Sequence, residues 1–273
     1  MRNSFQKHSL SGYFVLYFRF LKMTMMSRMQ YKLDTFLLSL AVLIRECVTI
    51  ISLYLILQKF SEIGGWDIGE LLFLYSFVFL TYSICILVFT GVRDFEGIVH
   101  QGEFDGYLTK PVAPFFQVIA RKSDVMATLG HGTLGLLLFF YSYSRLQLSL
   151  SLENVLAIVL VLIGGTLIQG ALLLFSAVMT FWTTKSGQIQ ELLFYQMRGF
   201  IAYPLSIYPK LIKWILTFCI PLAFVNYYPS RFFIAERHHW IWIFLTLFVG
   251  IAVFIGSLLF WKTGLKHYES TGN

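Results

Sequence analysis

The stretch that decides the reading is QGEFDGYLTKPVAPFFQV, Gln101 to Val118. It holds three charges of both signs, two glycines and two prolines. Apolar runs flank it, Glu70–Gly91 before and Val125–Leu146 after, each long enough for a span of about 20 residues. Gly102 permits a turn, and Glu103–Thr109 fits two turns of helix. Phe104, Tyr107 and Leu108 then fall at i, i+3 and i+4, which makes one apolar face. Pro111 disfavours helical geometry at Lys110 and ends the segment; Pro114 starts the chain toward the next span. Such a helix suits docking into a groove of a soluble partner, or a plain connection whose aromatic residues lie against headgroups. The residues alone leave both readings open.

The composition explains why so polar a hairpin stands out. Of 273 residues, 57% are hydrophobic and 13% charged, and the mean hydropathy is +0.71. Soluble domains average about 25% charged, so this chain belongs in a bilayer. The net charge of +7 forms no stripe of the kind that binds nucleic acid, so no nucleic acid is expected. It reads instead as topology. Six Lys/Arg and no acidic residue lie between Met1 and Lys32, which places the N-terminus in the cytoplasm by the positive-inside rule. Residues 1–34 are expected to be cytoplasmic and interfacial, with Tyr13–Lys32 a helix lying on the membrane surface. The apolar residues there are interrupted by Arg19, Lys22 and Arg28, unlike a signal peptide.

Expected spans cover 35–57, 70–91, 125–146, 153–182 and 239–261, with a cytoplasmic loop at 92–124 and a cytoplasmic tail at 262–273. Trp240 and Trp261 bracket the last span, where interfacial aromatic belts are expected. Between Thr183 and His239, hydropathy favours Leu211–Tyr228 as the fifth span over the more polar Gly187–Tyr203. Either choice gives six spans and two cytoplasmic termini. The fold class is therefore an all-α integral membrane protein with six transmembrane helices.

Arg45 and Glu46 stand near the middle of the first span, where a central charge costs about 2.5–3.5 kcal/mol. Neighbouring side chains diverge on a helix, so each is expected to face a protein interior, a partner or water. If Gly187–Tyr203 is the fifth span, its Glu191 or Arg198 is a candidate partner for them, and Gln169 in span four is a candidate for hydrogen bonding between helices. Cys47, Cys85 and Cys219 read as small hydrophobes. No G-x-x-x-x-G-K-[ST] phosphate loop occurs in the sequence, and no H-E-x-x-H, so neither ATP cradling nor a zinc enzyme is expected.

Three stretches in order carry a family resemblance: GEFDGYLTKPVAPFFQV, YPLSIYPKLIKWILTFCIPLAFVNYYPS from Tyr203 to Ser230, and the C-terminal GLKHYESTGN. Together they resemble the permease subunits of type-2 ATP-binding-cassette (ABC) exporters, closest to a six-span branch that pairs with a second permease. The resemblance implies that the short helix is a coupling helix seated in a cleft of an ABC ATPase subunit. By position Gly102, Phe104, Asp105, Tyr107, Leu108 and Pro111 match that motif, with Lys110 where an arginine is more usual. It further implies that Gly187–Tyr203 is the fifth span and that 207–233 is a re-entrant hairpin dipping back from outside. Lys210, Lys213, Arg231 and Arg237 would then lie outside, opposite to the positive-inside rule.

The implied function is the membrane half-pathway of an ATP-driven exporter in the plasma membrane. ATP and Mg would sit in two copies of the partner ATPase, with no cofactor, metal site or catalytic residue in this chain. A secondary transporter or other polytopic protein without an ATPase is the alternative.

Overall fold

The computed structural model describes residues 10–29, 32–59, 62–183, 186–234 and 239–269. These are almost wholly helical; the described residues hold no strand beyond an isolated Ile63–Trp66 bridge. Helix α1 is Leu10–Met29 and α2 is Lys32–Lys59. Helix α3, Ile68–Arg93, starts at a capping box. The Asp67 carboxylate accepts from the Glu70 amide at 2.8 Å, and the Glu70 carboxylate accepts from the Asp67 amide at 2.8 Å. Two of the amide groups left over at a helix start are thereby satisfied.

Three short helices follow: α4 Phe95–His100, α5 Phe104–Leu108 and α6 Pro114–Arg121. Then come α7 Val125–Arg145, capped by Asp124, and α8 Leu152–Val178, capped by Ser151 and extended by a tighter turn at Met179–Phe181. The stretch expected as a polar fifth span is continuously helical from Ser186 to Ala202, but not uniformly so. It begins as α9, Ser186–Gln190, widens to a π-turn over Glu191–Gln196 and tightens to 3-10 geometry over Met197–Ala202. Helix α10, Lys210–Trp214, continues as a π-turn to Cys219; α11 is Tyr227–Ile234 and α12 is Ile241–Lys266.

Connections gather at two ends of the bundle. At one end lie residues 94–124, the turn that ends α8 at Met179–Phe181 and the end of α12. At the other, Ser206 Oγ donates to Gly64 O at 2.9 Å, Trp66 meets Tyr227 at 5.5 Å, and Trp240 Nε1 donates to Glu153 Oε1 at 2.6 Å. The segments Lys210–Cys219 and Leu222–Ile234 are bent by 78° at Ile220–Pro221. Both outer ends of this bent pair lie at the second end, so the chain enters and leaves on one side.

Among the described residues, four helical stretches are long and apolar enough to cross a membrane: Ile68–His100, Val125–Arg145, Leu152–Phe181 and Ile241–Lys266. The bent pair makes a fifth if it is counted as one span. Helix α2 covers the expected first span, and at 28 residues it is about 42 Å long. Outward-facing Leu136, Leu137, Phe140, Phe248 and Leu259 are exposed, as lipid-facing side chains are.

Helix α3 is central and buried along most of its length, whereas α12 is peripheral. Lipid is as apolar as leucine, so helices in a bilayer associate by close approach and hydrogen bonds. Helices α8 and α12 show this at Gly164 and Gly250, where a Cβ on Gly250 would stand 2.5 Å from Gly164 O. Between α8 and α3, Gln169 Nε2 donates to Thr81 Oγ1 at 2.6 Å in the buried interior, so Gln169 joins two helices.

Candidate functional site

The hairpin is built from Asp94 to Asp124 upward. Gly102 takes φ +71°, a left-handed turn that glycine adopts without strain and that folds α5 back against the bundle. Helix α5 is five residues, shorter than the two turns that Glu103–Thr109 suggested. Gln117 holds the turn closed: its Nε2 donates to Tyr107 O at 2.9 Å and to Val112 O at 2.7 Å. Arg121 pairs with Glu103 at 2.7 Å and also reaches the Tyr107 hydroxyl. With both partners about 40% exposed, the ion pair is worth about 0.2–1 kcal/mol and serves mainly to orient. At the base, Asp94 takes both Arg93 (3.1 Å) and Lys122, and Asp124 faces Arg93 at 3.7 Å.

The apolar face expected from spacing alone is divided. Phe104 is fully buried, whereas Leu108 is exposed and Tyr107 half-buried. Phe104 fills an aromatic socket of Phe95 (5.1 Å between ring centres), Tyr268 (5.0 Å), Phe181 (5.9 Å) and Trp261 (6.1 Å), mostly edge-to-face. In this arrangement its ring offers nothing to a partner; it anchors the hairpin to the ends of α8 and α12. Asp105 accepts a 2.9 Å hydrogen bond from the Tyr268 hydroxyl, a second tie to the segment after α12. What the hairpin presents outward is Gly106, Leu108, Thr109, Lys110 and Pro111, with Lys110 Nζ 5.3 Å from the Tyr107 ring centre.

Of the socket residues, Phe95, Phe181 and Tyr268 were not singled out individually by the sequence. Trp261 was expected in an interfacial belt and is instead 4% exposed inside the socket. Tyr268 lies in GLKHYESTGN, one of the three stretches carrying the resemblance, and that was the available signal. Gly91 is a further case. A Cβ there would meet Val118 O at 1.8 Å, so α6 crosses α3 in backbone contact.

Burial, then the Asp105 hydrogen bond and charge, push the Tyr268 phenol up to about 12. A raised value means the protonated contact is intact below the ordinary tyrosine range near 10 and is lost as pH climbs to about 12. The phenolate difference spectrum between the chain and Tyr268→Phe should therefore appear nearer pH 12 than pH 10. Asp105→Asn should bring it down. A Tyr268 titration near 10 in the unaltered chain would remove this contact from the account.

The mid-span charges sit elsewhere. Arg45 and Arg198 line one cavity of about 200 Å³ with Tyr75 and Tyr195, so these two come together although they carry like charge. The Arg198 guanidinium lies 4.0 Å from the centre of the Tyr82 ring. Glu191 is exposed and accepts from Gln196 Nε2 at 3.0 Å. The Glu46 side chain lies outside the described residues. His131 is buried, its Nδ1 against Ala127 O at 2.8 Å on its own helix. A second, apolar cavity of about 700 Å³ lies between α8, the bent pair and α12.

The sequence profile of the family described as ABC-2 family transporter protein matches residues 43–272. The chain belongs to the ABC-2 transporter family. As an ABC-2 protein it is a multi-pass membrane component, a permease part of an ABC transporter, and such permeases associate with an ABC ATPase. The match spans α2 to the segment after α12, and so includes hairpin, socket and cavity together. No curated protein and no solved structure matches the ABC-2 chain at a meaningful level.

Proposed function

We propose that this ABC-2 chain is one half of the membrane pathway of an ATP-driven exporter, and that motion of a separate ATPase enters it through the 94–124 hairpin. The observation that carries the reading is the seating of Phe104. A helix held in a socket made by the ends of α8 and α12 moves those helices when it is pushed; a loosely tethered loop would not. Outward-facing Leu108, Thr109, Lys110 and Pro111 form the contact with the ATPase, and Phe104, Tyr107 and Asp105 hold it in place.

In this reading α2, α3, α7, α8, the 186–202 helix and α12 are the six spans. The hairpin end is cytoplasmic with both termini, in the plasma membrane, and the bent pair is re-entrant from the outer side. Two ATPase copies carry ATP and Mg, and a second permease, the same chain or a homologue, completes the pathway.

The test is a mild-detergent pull-down of the tagged chain with the eluate assayed for ATP hydrolysis. An ATPase chain should be recovered, and Leu108→Glu should lose it while leaving the fold intact. Recovery of a single chain under crosslinking, together with transport in ATP-free vesicles on an ion gradient, would overturn the proposal in favour of a secondary transporter.

A further inference from the structure

The apolar cavity of about 700 Å³ between α8, the bent pair and α12 takes no part in the hairpin, and its shape is the informative feature. On α12 it is lined by Trp242, Leu245, Val249, Val253 and Ser257, which recur at three- and four-residue steps and so follow one face of that helix. From the first to the last of these the helix rises about 22 Å. A volume of about 700 Å³ spread over that length is a slot roughly 6 Å across, whereas a helix with its side chains measures about 10–12 Å. Ala171, Leu172 and Phe175 of α8 form a second wall, and Pro221, Phe224 and Tyr228 of the bent pair form a third. Pro221 has no N–H with which to continue the preceding helix, and the 78° bend there turns the bent pair away from a straight course beside α12. The fourth side is open, rimmed by exposed Phe175, Phe218 and Phe248.

The geometry points to a binding site for one acyl chain of a membrane phospholipid, which enters sideways from the bilayer. Among the described residues no charged side chain lines the slot, so an ionic ligand finds no partner along its length. A helix from a partner protein is too thick for it; an extended hydrocarbon chain is not. Lipid tails are as apolar as leucine, so the hydrophobic effect favours neither slot nor bilayer. Contact decides instead, because a void of this size without an occupant forfeits the dispersion attraction of three walls. The polar atoms match an amphiphile. At the Trp242 end, the Tyr228 ring stacks on Trp242 at 4.9 Å with 10° between the planes, and its hydroxyl shares a 3.2 Å hydrogen bond with Thr217. One hydroxyl proton of that pair is left to donate to an ester carbonyl. At the other end Ser257 Oγ already donates to Ala171 O at 3.0 Å, so the tip of the chain meets a closed floor.

That the Trp242 end faces the outer leaflet rests on the permease orientation; the slot itself does not, and binding needs no ATPase. The full protein is washed in digitonin, whose rigid steroid rings are too wide for the slot. It is then titrated separately with dioleoylphosphatidylcholine and with palmitate, and bound molecules are counted by native mass spectrometry. Saturable binding of one phospholipid per protein is expected. Val249→Trp and Val253→Trp, which fill the slot, should each lose affinity by about 10-fold or more. Ile255→Trp, on the exposed face of α12 outside it, should lose none. Diphytanoylphosphatidylcholine has the same headgroup on methyl-branched chains and should bind more weakly by a similar factor.

Should the tryptophan variants fail to fold, Cys219 reports on the unaltered slot. It lines the cavity and is exposed, whereas Cys85 is buried. In a Cys47→Ser protein, saturating dioleoyl lipid should suppress the reaction of Cys219 with maleimide, and the branched lipid should not. The proposal is overturned by no saturable binding, by equal affinity in the filled-slot variants, by equal binding of the branched lipid, or by an unprotected Cys219. Binding of palmitate with none of the phospholipid overturns it as well. Each of these outcomes leaves the ATPase pull-down, and so the permease reading, untouched.

Discussion

Phe104→Ala should free the hairpin from the bundle and raise amide exchange across Gly102–Val112 by about 100-fold or more. The ring is fully buried among Phe95, Phe181, Trp261 and Tyr268, and deleting a buried phenylalanine costs about 3–5 kcal/mol. Each 1.4 kcal/mol is a factor of ten in an opening equilibrium. The cavity cannot close by sliding, because Trp261 and Phe181 are fixed on α12 and on the turn after α8. Phe104→Leu keeps much of the volume and should lose less. Hydrogen exchange followed by mass spectrometry reads the effect peptide by peptide. The prediction fails if exchange in the hairpin is unchanged while the rest of the protein is loosened. With the hairpin unseated, capture of an ATPase should also fall, although Phe104 has no exposed surface of its own. Leu108→Glu should separate the two effects, losing capture with exchange protection retained.

Gly91→Ala should be the most damaging single-methyl change in the described part of the chain. The new Cβ would lie 1.8 Å from the carbonyl oxygen of Val118 and 2.9 Å from its carbon. Both are backbone atoms, so no rotamer change relieves the overlap, and α6 must move away from α3. Overpacking a core costs about 1–3 kcal/mol, and this case should lie at or above the upper end. The displacement would carry Gln117 with it, and with that the two hydrogen bonds that close the Tyr107–Val112 turn.

Gly97→Ala is the matched control. Nothing lies within 4 Å of where its methyl group would stand, and alanine is the better helix former by up to about 1 kcal/mol, so that variant should be neutral or slightly stabilised. Thermal midpoints of the two variants in the same detergent decide the matter. Equal midpoints would mean that α3 and α6 are not in backbone contact.

Much of the architecture was legible from local chemistry. Long apolar runs dictate helices because an unpaired backbone group has no partner in hydrocarbon, and this holds whatever packs against them. The starts of α3, α7 and α8 rest on equally local contacts, which the structure shows: Asp67, Asp124 and Ser151 each accept from an amide three residues on. The turn at Gly102 and the stop near Pro111 likewise depend only on the φ/ψ preferences of those residues.

The site was legible as a segment but not as a surface. Spacing put Phe104, Tyr107 and Leu108 on one face, yet a five-residue helix lying against a bundle has an inside as well as an outside. Which side Phe104 takes depends on rings 77, 157 and 164 residues further along the chain, at Phe181, Trp261 and Tyr268. Periodicity within one element carries no record of such distant contacts.

The sequence by itself determined the long helices, the polar hairpin between two apolar runs and the charged pair Arg45–Glu46 within the first expected span, because each follows from a residue and its near neighbours. Only the tertiary structure decided that Trp261 leaves the expected interfacial belt for a socket, that Gly91 admits α6 to backbone contact, and that Arg45 and Arg198 share one cavity. Those outcomes are set by where separate helices cross. In a bilayer, crossings are chosen by close packing of small residues and a few hydrogen bonds rather than by apolar burial, so hydropathy cannot encode them.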